Sequence, residues 1–269
     1  PDVVVGGGGY VSWAPVFTAW LLGTPRLITE LDSHMGLANR ALAPLATRVA
    51  LSFAIRGREG GKYFLAGRPL SRELLEATAE AGRRKFGLRD DRQVVLVSGG
   101  SLGARSLNLA CVEAFGVPSL PFQLVQVSGR RDYEMVRQAL HERGADPENY
   151  HLLDYTVDLP LATAAADLVV GRSGASVLEV AALGKPALLV PYPHATADHQ
   201  LKNAEWMVAA GAAEVVLDSE LSGTLLKQKV EELLGDRERL AAMAGASAGL
   251  GRRDGGGIIA DEIFAMAGR

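Results

Sequence analysis

The sequence contains a single cysteine, Cys111, among 269 residues. One cysteine cannot form an intrachain disulfide, which excludes a disulfide-stabilised scaffold and favours a reducing compartment. A large excess of charge is also absent: the formal net charge is −3, which argues against a dedicated nucleic-acid-binding protein. Long apolar runs are missing too. The longest, Val11–Leu22, contains Ser12 and Pro15 and falls short of the ~20 residues that cross a bilayer.

Glycine, in contrast, is abundant, with 31 residues, and hydrophobic residues make up 48% of the chain, which excludes a disordered protein. Apolar runs such as Val94–Val97 are followed by turns of small residues and then by helical segments. This alternation is typical of an α/β protein with a doubly wound parallel sheet. The predicted strands are residues 3–5, 26–29, 49–53, 63–65, 94–97, 123–127, 151–153, 168–170, 187–190 and 214–217.

Changes in composition divide the chain into four predicted segments. They are a first α/β domain at residues 1–70, a linker helix at 71–90, a second α/β domain at 91–250 and a C-terminal helix at 251–269. Basic residues outnumber acidic ones in the first domain, which also holds Trp13 and Trp20, and this suggests that the two domains have different partners. The chain begins at Pro1 and enters an apolar strand at once, so we expect a further segment to precede it.

Three turns follow predicted strands, at the edge where ligands bind in open parallel sheets. In residues 99–104, glycines, Ser101 and a helix N-terminus favour a phosphate group, although such a turn can also simply join strand to helix. In residues 171–179, Glu179 can accept hydrogen bonds from vicinal hydroxyls, or can complement the helix dipole. The loop 191–203 is rich in side chains that bind sugar hydroxyls. Its histidines lack a third ligand nearby, so no metal site is expected.

Taken together, these turns resemble one family. The strings GGSLGA, RSGASVLEVAALGKPALLVPYP and HATADHQLKNA resemble the donor-binding half of the MurG family, and GGGGYVS, TPRLITE and GLANR resemble the later part of its acceptor domain. The resemblance implies a GT-B glycosyltransferase with two Rossmann-like domains, of which the first is truncated. The implied reaction is transfer of GlcNAc from UDP-GlcNAc to undecaprenyl-pyrophosphoryl-MurNAc-pentapeptide in peptidoglycan synthesis. The implied enzyme is an inverting, metal-independent hexosyltransferase without a cofactor, although residues 1–269 on their own are expected to be inactive.

The same resemblance assigns site residues. The turn around Ser101 would hold the UDP pyrophosphate, the backbone near Thr156 would meet the uracil, and Glu179 would bind the ribose. Gln200, with His199 beside it, would reach the GlcNAc hydroxyls. The donor-binding set further comprises Gly100, Gly103, Arg172, Gly174, Ala175 and Ser176. The acceptor side would comprise Gly7, Gly8, Gly9, Tyr10, Glu30 and Asp32, the last of which replaces an amide of the family. No catalytic base is identified.

Two alternatives stay open. One is another nucleotide-sugar enzyme of this fold, such as a glycolipid glycosyltransferase or a UDP-GlcNAc 2-epimerase, although an epimerase needs acidic residues that these segments lack. The other is a donor-binding module that is inactive without an N-terminal partner segment.

A polyprenyl-linked acceptor implies peripheral work at the cytoplasmic face of the bacterial inner membrane. Trp13, Val16, Phe17 and Trp20 fall on one face of a helix. Such a stripe can meet the bilayer or pack into the domain's own core. Arg40 and Arg48 are basic residues that could add attraction to anionic lipid. We expect Trp20, at the end of the stripe, to be exposed.

Overall fold

The computed structural model describes residues 1–100, 103–195 and 198–268 and divides into two compact units. The first unit comprises Pro1–Ser71 and Arg252–Arg269, and the second comprises Arg72–Gly251. Each unit has its own sheet, in which all the strand pairs are parallel. The parallel α/β architecture predicted from the sequence is therefore confirmed.

The described secondary structure alternates between strands and helices. The strands are β1 (Val4–Gly6), β2 (Arg26–Glu30), β3 (Arg48–Leu51), β4 (Tyr63–Leu65), β5 (Val94–Ser98), β6 (Gln123–Val127), β7 (Tyr150–Leu153), β8 (Leu168–Gly171), β9 (Ala187–Leu189) and β10 (Ala213–Val215). The α-helices are α1 (Trp13–Leu21), α2 (Leu37–Leu42), α3 (Arg72–Glu76), α4 (Ala79–Phe86), α5 (Arg105–Phe115), α6 (Tyr133–Glu142), α7 (Leu159–Ala165), α8 (Val177–Ala182), α9 (His199–Ala209), α10 (Gly223–Gly235), α11 (Arg237–Leu250) and α12 (Gly255–Met266). Among the helices in the described part of the chain, none is long and apolar enough to span a membrane.

The first unit is built on a four-stranded sheet in the order β1-β2-β3-β4. One of its core clusters joins Val16 of α1 to Ile28 and Val49 of the sheet, all fully buried. The C-terminal helix α12 also belongs to this unit. Ile259 packs with Leu27 and Ala50.

The placement of α12 differs from the separate C-terminal segment predicted at residues 251–269. Its apolar side packs against the sheet of the first unit, and Glu262 on it forms an ion pair with Arg48 at 2.6 Å.

The second unit is built on a six-stranded sheet in the order β10-β9-β8-β5-β6-β7. The chain starts at β5, proceeds outward to β7, and then returns to β8 on the other side of β5. The strand order therefore reverses between β5 and β8, and in open sheets the crevice beyond the carboxyl ends of such strands is where ligands bind. β5 is buried over its first four residues, which explains its continuous apolar sequence.

The predicted linker helix at residues 71–90 is two helices, and both belong to the second unit. The helical conformation is interrupted ahead of α4, where Thr78 has an extended backbone and acts as the N-cap. Its side chain accepts a hydrogen bond from the backbone N–H of Ala81 at 3.2 Å. Helix α4 then packs against α7. The approach is so close that a Cβ on Gly82 would lie 2.1 Å from the carbonyl oxygen of Leu161. Glycine at this position is what lets the two helices meet.

Candidate functional site

A cavity of about 590 Å³ lies in the second unit, at the carboxyl ends of the strands where the strand order reverses. Its walls come from the turn after β5, the start of α5, the turn after β8, the loop after β9 and the segments after β6 and β10. The lining residues are Gly99, Gly100, Gly103, Ala104, Arg105, Ser106, Arg131, Arg172, Gly174, Ser176, Tyr192, Pro193, His194, Gln200 and Asp218. A cavity of this size suits a small-molecule ligand.

The turn after β5 is fixed by its glycines. Gly103 has a φ of +73°, and a Cβ there would lie 2.4 Å from the carbonyl oxygen of Ser128. A Cβ on Gly99 would lie 2.4 Å from the backbone nitrogen of Ala104. Because the turn is this tight, α5 begins directly at the cavity, with Arg105 as its first residue. The unpaired N–H groups and the dipole of a helix N-terminus attract an anion. Ser101, predicted to hold a pyrophosphate, lies outside the described residues.

The turn after β8 carries Arg172, whose side chain is only 10% exposed. Its guanidinium donates hydrogen bonds to the carbonyl oxygens of Val190 at 3.0 Å and Pro191 at 3.2 Å. It also donates to Ser106 Oγ at 2.8 Å and forms an ion pair with Asp218 at 2.6 Å. Ser106 Oγ in turn donates to Asp218 at 2.7 Å. These contacts join four of the segments that form the cavity.

The loop after β9 is held in place by Gln200. The side-chain oxygen of Gln200 accepts a hydrogen bond from the backbone N–H of Tyr192 at 3.0 Å. The backbone carbonyl of Gln200 accepts another from Ser173 Oγ at 2.8 Å. The rings of Tyr192 and His194 meet edge to face, with centroids 5.5 Å apart. Asp198, with a φ of +53°, precedes helix α9. The side chain of Gln200 thus joins the wall of the cavity to the start of α9.

The segment after β6 contributes Arg131, which pairs with the buried Asp132 at 3.0 Å. The hydrogen bond from Arg131 holds the pKa of Asp132 below its usual value, and a second one from Asn108 acts in the same direction. Asn108 also donates to the carbonyl of Ser128, the group against which Gly103 packs. The buried Asn108, which also donates to Asp132, therefore supports the first turn from behind.

Near this site, the part of the chain that the structure describes holds neither a thiol nucleophile nor a metal cluster. Cys111 is fully buried, and burial raises the pKa of its thiol to about 12, so it is inert at neutral pH. Among the described residues, no group of three or more His, Cys, Asp or Glu side chains is arranged to hold a metal ion.

The structure brings some of the predicted donor-binding residues together and leaves others outside the cavity lining. Those that line the cavity are Gly100, Gly103, Arg172, Gly174, Ser176 and Gln200. Those that do not are Thr156, Ala175, Glu179 and His199. Thr156 accepts a hydrogen bond from the backbone N–H of Asp158 ahead of α7, and Glu179 stands in the first turn of α8.

Outside the loop 191–203, four polar lining residues were not among the predicted site residues: Arg105, Ser106, Arg131 and Asp218. Two of them continue the glycine-rich turn into α5, and the other two follow the ends of β6 and β10. The signal that could have identified them is their position, because polar residues just beyond the carboxyl ends of parallel strands face the ligand crevice.

In the first unit, the predicted acceptor-side residues lie on two segments. Gly8 and Gly9 adopt φ values of +89° and +69°, and the carbonyl oxygen of Gly8 accepts a hydrogen bond from Ser12 at 2.6 Å. Gly7 and Tyr10 are exposed. Glu30 is buried and accepts hydrogen bonds from the backbone N–H groups of Asp32 and Gly36 and from the side chain of Asn39. Glu30 thus fixes the loop that carries the half-buried Asp32.

Residues 94–256 match the C-terminal domain of glycosyltransferase family 28, and residues 1–51 match its N-terminal domain. The crystal structure of Acinetobacter baumannii MurG superposes with a TM-score of 0.78 at 28% identity, covering 98% of this chain and 73% of that one. The UDP-N-acetylglucosamine–N-acetylmuramyl-(pentapeptide) pyrophosphoryl-undecaprenol N-acetylglucosamine transferase of Moorella thermoacetica is 46% identical over 263 residues, which cover 94% of this chain and 70% of that protein.

The chain belongs to the MurG family. The Rubrobacter xylanophilus relative of the same name is 40% identical over 273 residues, which cover 100% of this chain and 78% of that protein. The GT-B fold that the sequence motifs imply is confirmed, since both units are parallel α/β structures and the structural likeness is to a MurG-family glycosyltransferase. The chain is thus a glycosyltransferase of family 28.

Proposed function

We propose that this chain transfers GlcNAc from UDP-GlcNAc to undecaprenyl-pyrophosphoryl-MurNAc-pentapeptide, the peptidoglycan precursor. The observation that carries the proposal is the 46% identity, over 94% of the chain, to a protein named for this reaction. The cavity of the second unit supports it, because it combines an anion-binding helix N-terminus with a loop rich in groups that bind sugar hydroxyls.

The donor lies in this cavity. Its pyrophosphate faces the turn at Gly100 and Gly103 and the N-terminus of α5, with the cationic side chain of Arg105 beside it. Gln200 lines the cavity and binds the GlcNAc. The other predicted contacts lie outside the lining, so the donor extends beyond the cavity: His199 binds the GlcNAc, Glu179 the ribose and the backbone near Thr156 the uracil.

When the sugar departs, negative charge develops on the pyrophosphate of UDP. The N–H groups at the N-terminus of α5 are oriented in advance to stabilise this charge, as donors in an oxyanion hole are. We therefore propose that no divalent ion is needed. From the family resemblance, we also propose that the reaction inverts the anomeric centre. The acceptor pyrophosphate would meet the glycine-rich turn after β1 in the first unit.

We also propose that the protein works at the cytoplasmic face of the inner membrane through an aromatic patch. Its members are Tyr10, Trp13, Phe17, Trp20, Leu21 and Leu22, which are 38–87% exposed. The ring of Phe17 lies 6.3 Å from that of Trp13 and 5.5 Å from that of Trp20. The expectation that Trp20 is exposed is confirmed, at 43%, whereas Val16 of the same predicted stripe is fully buried in the core.

Such an aromatic cluster suits the headgroup boundary of a bilayer. Arg40 is exposed and could add electrostatic attraction to anionic lipid. Arg48, the other candidate, is engaged in its ion pair with Glu262.

The decisive experiment measures transfer of labelled GlcNAc from UDP-GlcNAc to a polyprenyl-pyrophosphoryl-MurNAc-pentapeptide by the purified protein. We expect label in the lipid-linked product and an unchanged rate in the presence of EDTA. Conversion of UDP-GlcNAc to its 2-epimer, without transfer, would instead make the chain an epimerase. Loss of transfer with EDTA, restored by a divalent ion, would refute the metal-independent mechanism alone.

A further inference from the structure

We propose that Asp218 is a positioning residue for recognition of the donor sugar. It holds the Arg172 guanidinium in the position from which Arg172 links the segments that form the walls of the cavity. The inference rests on the proposed function, since it takes a UDP-sugar as the ligand of the cavity.

The first observation is how fully Arg172 is engaged. One terminal nitrogen faces two carbonyl oxygens at the end of β9 and one carboxylate oxygen of Asp218, and the other donates to Ser106. The centre of the guanidinium also lies 5.6 Å from the centroid of the Tyr192 ring. A cation with this many partners inside the protein acts on the structure of the cavity, and its charge is already matched by a carboxylate.

The second observation is the place of Asp218. It follows β10, lines the cavity and has a side chain that is only 18% exposed. A carboxylate directed at a diphosphate site repels the ligand unless its charge is used elsewhere. The contacts with Arg172 and Ser106 use that charge, at 2.6 Å and 2.7 Å.

The third observation is the path from this pair to the sugar side of the cavity. Arg172 holds the carbonyl of Pro191, the next residue Tyr192 donates its backbone N–H to Gln200, and Gln200 lines the cavity. Asp218 therefore fixes Arg172, and Arg172 fixes the loop on which the sugar-facing side chain depends. Loosening this path should affect UDP-GlcNAc more than UDP.

The test compares this role with the alternative in which Arg172 is itself a phosphate ligand. The variants are Asp218→Asn, which keeps the shape and removes the charge, Arg172→Lys, which keeps the charge and removes the planar fork, and Ser106→Ala. Asp90→Asn, an exposed acid in the same unit, is the matched control. The measurements are the dissociation constants for UDP and UDP-GlcNAc by calorimetry and the thermal midpoint of each variant.

If Asp218 is a positioning residue, Asp218→Asn should bind UDP-GlcNAc about tenfold more weakly, and its affinity for UDP should fall much less. Arg172→Lys should be at least as damaging, because an ammonium cannot span the same partners. Ser106→Ala should show a smaller change in the same direction, and Asp90→Asn none.

Three results would overturn the inference. Tighter binding of UDP by Asp218→Asn would mean that the acid merely opposes a phosphate-binding Arg172, and near-normal binding by Arg172→Lys would mean that only its charge matters. Equal losses for UDP and UDP-GlcNAc, with a lowered thermal midpoint, would reduce Asp218 to a purely structural residue. Failure of the unaltered protein to bind either ligand would instead refute the proposed function.

Discussion

Glu179 illustrates how one residue admits two physical interpretations. It stands in the first turn of α8, where a carboxylate is stabilised by the helix dipole whatever its function. The motif that surrounds it assigns it instead to the ribose of the donor, whose two vicinal hydroxyls can both donate hydrogen bonds to a carboxylate. Only the second interpretation makes the affinity for UDP depend on Glu179 and on the ribose hydroxyls.

We predict that Glu179→Gln weakens UDP binding by ~1.5–3 kcal/mol, because the amide loses a charged acceptor. Binding of 2′-deoxy-UDP, which lacks one of the hydroxyls, should change much less. Calorimetry with both ligands measures the difference. Glu134→Gln, an acid in the first turn of α6, is the matched control and should bind both ligands normally. If Glu179→Gln binds UDP as tightly as the unaltered protein does, Glu179 does not bind the ribose and only complements the dipole of α8.

At the scale of elements, the contact between α4 and α7 is the clearest case in which packing overrides helix propensity. Glycine inside a helix normally destabilises it by ~0.5–1 kcal/mol relative to alanine. Gly82 is an exception, because its missing Cβ is the space that the Leu161 carbonyl occupies.

We predict that Gly82→Ala lowers the free energy of unfolding by ~1–3 kcal/mol, since the new methyl group forces α4 away from α7. Gly245→Ala in α11, where a Cβ would have no heavy atom within 4 Å, should raise it by ~0.5–1 kcal/mol. Urea denaturation of both variants gives the two free energies. Stabilisation by both substitutions would show that the helices separate easily and that the close approach is unimportant.

The elements that can be predicted from the sequence are those whose burial produces a run of consecutive apolar residues. β5 and β8 lie close to the predicted strands 94–97 and 168–170, because a strand covered on both faces leaves an unbroken apolar run. The sequence does not predict the helix interruption at Thr78, because a continuous amphipathic pattern passes through it. It does not predict the location of α12 either, since the Arg48–Glu262 contact joins residues 214 positions apart.

The site was predictable to the same extent and for the same reason. Gly103, Arg172 and Gln200 stand in compact motifs, and the structure places them on one cavity. Ser106 and Asp218 stand in no motif. They reach Arg172 only because parallel strands bring their carboxyl ends to one edge, and the partners of an ion pair across that edge cannot be read from spacing.

At the scale of the whole molecule, the apolar surface of α1 has to be reconciled with a chain that has no spanning helix among its described residues. Exposed aromatic side chains that contact one another form a contiguous apolar patch, which marks an interaction site more often than isolated exposed residues do. Tryptophan favours the interface between headgroups and acyl chains, where its ring is partly desolvated and its N–H stays hydrated. A bilayer surface is therefore the partner that we propose for this patch.

We predict that Trp20→Ala weakens binding to vesicles of anionic phospholipid by roughly tenfold, because the lost ring no longer transfers apolar area out of water. UDP affinity should stay unchanged, since the cavity lies in the second unit. Phe264→Ala removes another exposed aromatic ring of the first unit, on α12, and should leave vesicle binding as it was. Vesicle sedimentation with each variant gives the partition coefficients, and circular dichroism checks that the fold is kept. If Trp20→Ala folds and binds vesicles as tightly as the unaltered protein, the patch on α1 is not the membrane-facing surface.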